Sequence, residues 1–122
     1  MGEKRRVVMV DDNKALTRFI CSLLRDQGYD VVCLNALENA EEFFSTCVGD
    51  IHAVLLDYTI GNKKGDSLAK TIRNKFPQSR IILVSGCPPK ELIHIETLLG
   101  DRVIDAFIEK PFSFDKIEQC LQ

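Results

Sequence analysis

The sequence predicts an α/β fold in which a doubly wound, five-stranded parallel sheet is covered by five helices. Short, nearly continuous apolar runs rich in Val and Ile recur along the chain, and segments with helical apolar spacing lie between them. In addition, carboxylate, hydroxyl or lysine side chains directly follow four of the five apolar runs. Buried parallel strands joined by right-handed crossover helices account for these observations together.

The predicted strands and helices alternate along the whole chain. The strands are expected at Val7–Val10, Val31–Leu34, Ala53–Leu56, Ile81–Val84 and Ile104–Ile108. The helices are expected to bury Leu16, Phe19, Ile20, Leu23 and Leu24, then Leu37, Ala40, Phe43, Phe44 and Cys47, then Leu68, Ala69, Ile72 and Phe76, then Leu92, Ile95 and Leu99, and finally Phe114, Ile117 and Leu121. Gly28 and Pro77 should end the first and third helices. Pro88-Pro89 should precede the fourth, and Ser113 should cap the fifth.

Length and composition limit the classes of protein that fit. A chain of 122 residues predicts one domain, expected over residues 1–122. The net charge of −2 offers no electrostatic footprint for nucleic acid or acidic lipid. The apolar runs are too short to cross a bilayer, so a cytoplasmic protein without membrane contact is expected. The five cysteines are odd in number and include no Cys-x-x-Cys pair, which predicts reduced thiols.

The residues that directly follow the strands predict a single site. Asp11 and Asp12 follow the first strand, and Asp57 follows the third. Ser85 and Lys110 follow the fourth and fifth strands. If the strand order is 2-1-3-4-5, these strand ends are contiguous and meet at the switch point of the sheet. Adjacent strands lie about 4.8 Å apart, so carboxylates from strands 1 and 3 can reach a common ion.

These side chains predict phosphoryl-transfer chemistry. Three crowded carboxylates need nearby positive charge to stay ionised, and an all-oxygen ligand set favours Mg²⁺ over a softer metal. Lys110 supplies a mobile positive charge for a phosphate oxygen, and Ser85 supplies a hydroxyl donor. Catalysis of phosphoryl transfer consists mostly of positioning and charge neutralisation. Asp57 is therefore predicted to be the nucleophile.

Over essentially its whole length the chain resembles the receiver domains of two-component response regulators. The matching motifs, in order, are Val10-Asp11-Asp12-Asn13, Leu55-Leu56-Asp57 with Gly65 downstream, Val84-Ser85-Gly86 and Phe107-Ile108-Glu109-Lys110-Pro111-Phe112. The resemblance implies a flavodoxin-like three-layer sandwich. It also implies a signalling switch without an independent turnover substrate.

The resemblance assigns roles at the metal site. It implies that Asp57 is the phosphoacceptor and that Asp11, Asp12 and the backbone carbonyl of Thr59 hold Mg²⁺ beside it. Lys110 would pair with the phosphoryl group, aimed by a cis bond to the following proline. The donor would be a phosphohistidine on a sensor kinase or phosphotransfer protein.

The resemblance also implies a switch. Ser85 would hydrogen-bond to the phosphoryl group and move inward, and the Phe107 ring would follow on the opposite face of strand 5. The output surface would be helix 4, strand 5 and helix 5, read by a downstream partner or a fused effector domain. Helix 4 presents a broad apolar face that predicts a docked partner, a phosphorylation-dependent dimer, or cover from the following loop; the face is made by Leu92, Ile93, Ile95, Leu98 and Leu99.

Two segments depart from the receiver pattern. Gly61 stands where receivers usually have proline, so the basic loop of residues 61–65 is expected to be mobile. The stretch from Ser85 to Lys110, which contains Cys87, is a few residues longer than usual. His52 and His94 are predicted to be surface residues.

Three other functions are compatible with parts of this pattern. A haloacid-dehalogenase-like phosphatase also uses an aspartyl nucleophile and Mg²⁺, but Asn13 stands where its second aspartate is required. A flavodoxin shares the topology, but Asp11 and Asp12 would repel its flavin phosphate. A receiver that acts only as an unphosphorylated docking module would have the same residues, so the sequence does not exclude this alternative.

Overall fold

The computed structural model describes residues 4–86 and 89–122. The strands are β1 (Arg6–Val10), β2 (Asp30–Leu34), β3 (Ala53–Asp57), β4 (Thr59–Ile60), β5 (Lys63–Lys64), β6 (Arg80–Ser85) and β7 (Ala106–Glu109). The helices are α1 (Lys14–Asp26), α2 (Leu37–Thr46), α3 (Asp66–Lys75), α4 (Pro89–Gly100) and α5 (Phe114–Leu121).

Five parallel strands form one sheet in the order β2-β1-β3-β6-β7. Since β6 and β7 are the predicted fourth and fifth strands, the predicted order 2-1-3-4-5 is confirmed. Residues Asp57 and Val84 are partners across β3 and β6, and residues Ser85 and Glu109 are partners across β6 and β7. The register therefore places the ends of the central strands side by side.

The sequence did not predict the small antiparallel hairpin that β4 and β5 form after the central strand. Thr59 pairs with Lys64, and Ile60 pairs with Lys63. Gly61 turns the chain with a φ of +66°, a conformation that glycine adopts at little cost. The segment described from its sequence as a basic loop thus includes one strand and the turn of a short hairpin, and its predicted mobility stays a prediction.

The core consists of two layers, one on each face of the sheet. Side chains alternate between the faces along each strand, so Val8 and Val10 point to one layer and Val7 and Met9 to the other. Helices α2, α3 and α4 cover the first layer, and α1 and α5 cover the second. The arrangement is the predicted three-layer sandwich, and β3 is buried along its entire length.

Two helices bury a different stripe from the one predicted. In α1, Phe19 is 60% exposed, while Thr17 and Cys21 lie in the buried face. In α4, Leu98 is buried beside Ile95, and the prediction that Leu92 belongs to the core is wrong because it is 37% exposed. Apolar residues on several sides of a helix permit more than one rotational setting, and packing against the sheet selects one of them.

The predicted helix boundaries largely hold. Gly28, with a φ of +95°, directly follows the end of α1, and α3 ends just before Pro77. Pro89 lies inside α4 rather than before it, and Pro88 lies outside the described residues. Ser113 occupies the N-cap position of α5 but makes no side-chain capping bond.

The cysteine prediction is wrong for one pair. Cys21 of α1 and Cys33 of β2 form a disulfide, because α1 packs against β2 and brings these two side chains together. Cys47 and Cys120 are free thiols, and Cys87 lies outside the described residues.

Over the two described ranges, no helix combines the length and the apolar character needed to cross a membrane.

Candidate functional site

The structure brings the predicted site residues together at the carboxyl ends of β1, β3, β6 and β7. Carboxylate oxygens of Asp11, Asp12 and Asp57 all lie within 4.8 Å of one another. Asp11, Asp57 and Ser85 are buried, whereas Asp12 is exposed. The cluster therefore has a buried base and one side open to solvent.

Lys110 joins the two buried carboxylates. Its Nζ lies 3.1 Å from Asp11 Oδ2 and 3.3 Å from Asp57 Oδ2. Its backbone N–H donates to the Ser85 carbonyl at 2.7 Å, which holds the two strand ends together. The bond between Lys110 and Pro111 is cis, as the resemblance implied.

The electrostatics follow from burial and crowding. Burial, together with the charge of Asp11, raises the pKa of Asp57 to about 6, against the opposing effect of Lys110. Burial opposes the charged form of Lys110, but Asp57 and Asp11 outweigh it and raise the pKa of that ammonium. Lys110 thus stays positively charged, and further positive charge near Asp57 would stabilise the ionised form of this carboxylate.

Residues that the sequence reasoning passed over hold Asp11 in place. Asn35 Nδ2 donates to the Asp11 carbonyl at 2.9 Å, and Thr17 Oγ1, which donates to the Asn13 carbonyl at 2.8 Å, lies 3.3 Å from the same Asp11 oxygen. The backbone N–H of Asn13 donates to Asp11 Oδ1 at 2.9 Å. Asn35 follows the edge strand, so the strand end without apparent chemistry in the sequence supports the first carboxylate.

The hairpin supports the other two carboxylates. The Gly61 N–H donates to Asp12 Oδ2 at 2.9 Å, and the Thr59 N–H donates to Asp57 Oδ1 at 3.3 Å. The predicted role of the Thr59 carbonyl in holding metal stays a prediction.

Gly65 lies against the backbone of the phosphoacceptor strand. A Cβ atom at this position would meet the Asp57 carbonyl oxygen at 2.7 Å, closer than side-chain carbons approach backbone. The Gly65 N–H also donates to the Tyr58 carbonyl. The close approach of α3 to β3 therefore requires glycine, which explains why Gly65 is part of the motif.

Glu91, in the first turn of α4, is a site residue that the sequence reasoning missed. Its Oε2 accepts a hydrogen bond from Ser85 Oγ at 3.1 Å. Its Oε1 lies 2.7 Å from Lys64 Nζ and 3.3 Å from Thr59 Oγ1. Nothing in the sequence around Glu91 signals these contacts, because its partners lie on β4, β5 and β6.

A second contact ties α4 to the residue that follows the phosphoacceptor. Tyr58 Oη and His94 Nδ1 are 2.6 Å apart, and His94 Nε2 lies 3.7 Å from Asp66 Oδ2. His94 is predicted to be a surface residue, and 38% of its side chain is exposed, but it is not isolated. His52 is likewise half-buried, and its Nε2 donates to the Leu121 carbonyl at 2.7 Å.

Phe107 lies away from the carboxylates, as the alternation along β7 predicts. Its half-buried ring packs in the layer that α4 covers, whereas the next residue, Ile108, packs in the layer of α1 and α5. The ring therefore adjoins the predicted output surface.

The donor set fits a hard divalent cation. Three carboxylates within reach of one another offer only oxygen atoms, and the cluster has an exposed member through which an ion can enter. Hard cations such as Mg²⁺ prefer such ligands and retain several waters. The raised pKa of Asp57 agrees with such a site, because a bound cation would offset the burial and the Asp11 charge that raise this pKa.

The chain is similar to longer curated proteins. It is 32% identical over 84 residues to the transcriptional regulatory protein AruR of Pseudomonas aeruginosa, a match covering 66% of this chain and 34% of AruR. It is 31% identical over 116 residues to the CAI-1 autoinducer sensor kinase/phosphatase CqsS of Vibrio cholerae, covering 92% of this chain and 16% of CqsS. The chain thus spans about a third and a sixth of the lengths of these two relatives.

Solved structures share the fold. A response regulator from Burkholderia pseudomallei, described with a phosphorylated aspartic acid, calcium ion and citrate, superposes with a TM-score of 0.84 at 21% identity, covering 98% of this chain and 67% of that one. The response regulator TrrA of Thermotoga maritima, in complex with Mg(2+)-BeF, gives a TM-score of 0.74 at 27% identity and covers 94% of each chain.

Residues 7–122 match the response regulator receiver domain family. The matched range includes every helix and all of the sheet except Arg6, the first residue of β1. The fold, the order of the strands and the carboxylate cluster agree with that match. The chain belongs to the response regulator receiver domains, the family typical of phosphorylation-dependent two-component signalling.

Proposed function

We propose that this receiver accepts a phosphoryl group on Asp57, with Mg²⁺ held by Asp11, Asp12, Asp57 and the Thr59 carbonyl. The observation that carries the proposal is the convergence of three carboxylates on one point beside the Lys110 ammonium. A nucleophilic carboxylate, a hard-cation site and a lysine are the parts that phosphoryl transfer requires.

In the proposed reaction, a carboxylate oxygen of Asp57 forms a bond to phosphorus while the bond between phosphorus and the donor nitrogen breaks. Asp57 is largely ionised at neutral pH, since its raised pKa of about 6 still lies below 7. Lys110, already 3.3 Å from Asp57, neutralises charge on a phosphoryl oxygen. Bound Mg²⁺ would neutralise further charge on the transferred group.

The two structural relatives support the chemistry. The Burkholderia protein is described with a phosphorylated aspartic acid and a calcium ion, and TrrA with magnesium and beryllofluoride. The same class of ligand is proposed for the Asp11, Asp12 and Asp57 cluster of this chain.

The proposed partners follow from the family. The phosphoryl donor is a sensor histidine kinase or a phosphotransfer protein, and the recipient of the signal is a downstream protein or a fused effector domain. We propose no contact of this domain with nucleic acid or membrane, and no independent enzymatic turnover. We propose that the domain is cytoplasmic.

The proposed switch passes from Ser85 to Phe107 and to the surface of α4, β7 and α5. Ile93 is 73% exposed on α4 and offers an apolar contact for a partner or for a phosphorylation-dependent dimer. Beryllofluoride should shift amide signals of α4 and β7 as well as those of the metal site. Shifts confined to the metal site would contradict the switch.

Incubation with acetyl phosphate and Mg²⁺, followed by intact mass measurement, tests the proposal. We expect one added phosphoryl group, no addition when Mg²⁺ is chelated, and none in Asp57→Asn. The exposed Asp115 is a matched control, and Asp115→Asn should be labelled like the wild type. Labelling of Asp57→Asn at the wild-type rate would overturn the assignment.

A further inference from the structure

Ser85, the predicted switch hydroxyl, already donates to a carboxylate. Ser85 Oγ lies 3.1 Å from Glu91 Oε2, and Ser85 itself is 2% exposed. We call the four residues Glu91, Ser85, Thr59 and Lys64 the Glu91 latch. The latch connects the end of β6 to the first turn of α4 and to both strands of the hairpin.

The chemistry of a hydroxyl makes this contact competitive. A serine hydroxyl carries a single proton, so it donates either to Glu91 or to a phosphoryl oxygen, but not to both. Two anionic acceptors on the same hydroxyl would also repel each other. A hydrogen bond from Ser85 to the phosphoryl group proposed above therefore requires the bond between Ser85 and Glu91 to break.

The rest of the latch keeps Glu91 in position. Lys64 Nζ lies 2.7 Å from Glu91 Oε1 and 3.3 Å from Thr59 Oγ1, and it stands 5.2 Å from the centre of the Tyr58 ring. The Glu91 side chain is only 15% exposed. Burial opposes its ionisation, but hydrogen bonds from Lys64 and Ser85 outweigh burial and lower its pKa. Glu91 is thus a charged acceptor, which hydroxyls bind more strongly than a neutral one.

We propose that Glu91 is a positioning residue that withholds the Ser85 hydroxyl from the phosphoryl group and so sets the threshold for activation. This inference rests on the proposed function, because it concerns the group that arrives on Asp57. Release of Ser85 would also remove one of the contacts that hold the first turn of α4 against the sheet. The latch therefore couples the phosphoryl site to the helix that forms part of the proposed output surface.

Two effects of Glu91 must be separated. Its negative charge disfavours any anion bound nearby, whatever Ser85 does, whereas the proposed competition acts only through the Ser85 hydroxyl. A double-mutant cycle between Glu91 and Ser85 isolates the second effect.

The experiment measures beryllofluoride affinity in the presence of Mg²⁺ for the wild type, Glu91→Gln, Ser85→Ala and the double variant. Calorimetry or amide-shift titration serves as the readout, because the chain has no tryptophan. We expect Glu91→Gln to tighten binding roughly three- to tenfold in the wild-type background, the range for replacing a charge-assisted hydrogen bond with a neutral one, because the glutamine carbonyl can still accept from Ser85. In the Ser85→Ala background, the same change should alter affinity less than about twofold.

Two further variants act as controls. Glu96 is an exposed carboxylate on the same helix, so Glu96→Gln measures the effect of removing a charge from α4 without touching Ser85. Glu91→Asp keeps the charge but shortens the side chain, so it should also tighten binding if reach to Ser85 is what matters. Amide spectra without ligand and Mg²⁺ affinity alone identify any variant that is misfolded.

The outcomes are distinguishable. Equal tightening by Glu91→Gln in both backgrounds would show an effect of charge alone and overturn the latch. Unchanged affinity in both Glu91→Gln and Glu91→Asp would also overturn it. If the wild type shows no response to beryllofluoride with Mg²⁺, the proposed function fails, and the latch fails with it.

Discussion

The two sides of Asp57 are built in different ways. On one side, Asp11, Asp12 and Lys110 come directly from the ends of β1 and β7. On the other side, the Glu91 latch and the pair of Tyr58 and His94 link the strand ends to α4 and the hairpin through side-chain contacts.

The difference lies in what holds each side. The ends of β1 and β3 are positioned by the buried centre of the sheet, whose packing permits little displacement. The α4 side depends on polar contacts of partly exposed residues, which are weaker and can exchange partners. The first side is therefore suited to hold an ion, and the second to change state.

The largest expected effect is a dependence of the free energy of unfolding on pH, caused by Asp57. In metal-free protein, the pKa of Asp57 is raised from its ordinary value of 3.8 to about 6. The folded protein therefore binds this proton more tightly than the unfolded chain does. The contribution of Asp57 to the free energy of unfolding is therefore fully present below about pH 4 and is lost as the pH rises through about 6. Asp57→Asn removes the loss and should be more stable than wild type at pH 8, by at most about 3 kcal/mol.

Denaturant unfolding at pH 4 and pH 8 in the presence of a chelator measures this difference. The two proteins should have nearly equal free energies of unfolding at pH 4. A wild type that is as stable as Asp57→Asn at pH 8 would contradict the raised pKa of Asp57.

Gly65→Ala tests the junction between the two sides. The added Cβ would lie 2.7 Å from the Asp57 carbonyl oxygen, which cannot move without shifting β3. We expect a loss of about 2 kcal/mol in the free energy of unfolding, within the usual range for overpacking. Gly100→Ala is the matched control, since its Cβ would meet nothing within 4 Å. Equal effects of the two substitutions would show that the close approach is not real.

Asp12→Ala tests the exposed member of the cluster. Removing one of three convergent carboxylates should weaken Mg²⁺ binding more than about tenfold, with little effect on stability because Asp12 is exposed. Titration calorimetry measures the affinity. Glu38→Ala, which removes an exposed carboxylate paired with Lys63, should leave the Mg²⁺ affinity unchanged. Unchanged affinity in Asp12→Ala would place the ion elsewhere.

The smallest expected effect is the difference between substitutions at Lys63 and Lys64 of the hairpin. Lys63 and Lys64 are neighbours on β5, but Lys64 bonds to the largely buried Glu91, and Lys63 bonds to the exposed Glu38. Lys64→Gln should lower the unfolding midpoint measurably, while Lys63→Gln should leave it unchanged. Thermal unfolding at low and high salt decides between them, and the opposite order would remove Lys64 from the latch.

Local sequence patterns were sufficient to predict the fold and the side of the site that contains Asp11, Asp12 and Lys110. Asp11, Asp57, Ser85 and Lys110 each lie at the carboxyl end of a parallel strand, and parallel strands bring these ends to one edge of the sheet. The predictions for Phe19 and Leu92 were wrong, since apolar residues on several sides of a helix do not reveal which side faces the sheet.

The sequence by itself determined the alternation of strands and helices, the strand order and the residues that converge at the strand ends, because each depends on local periodicity and on general rules of chain connection. Only the tertiary structure decided the disulfide between Cys21 and Cys33, the support of Asp11 by Asn35, and the contact of Glu91 with Ser85. These contacts join separate elements and depend on side-chain directions that the packing of the whole chain settles.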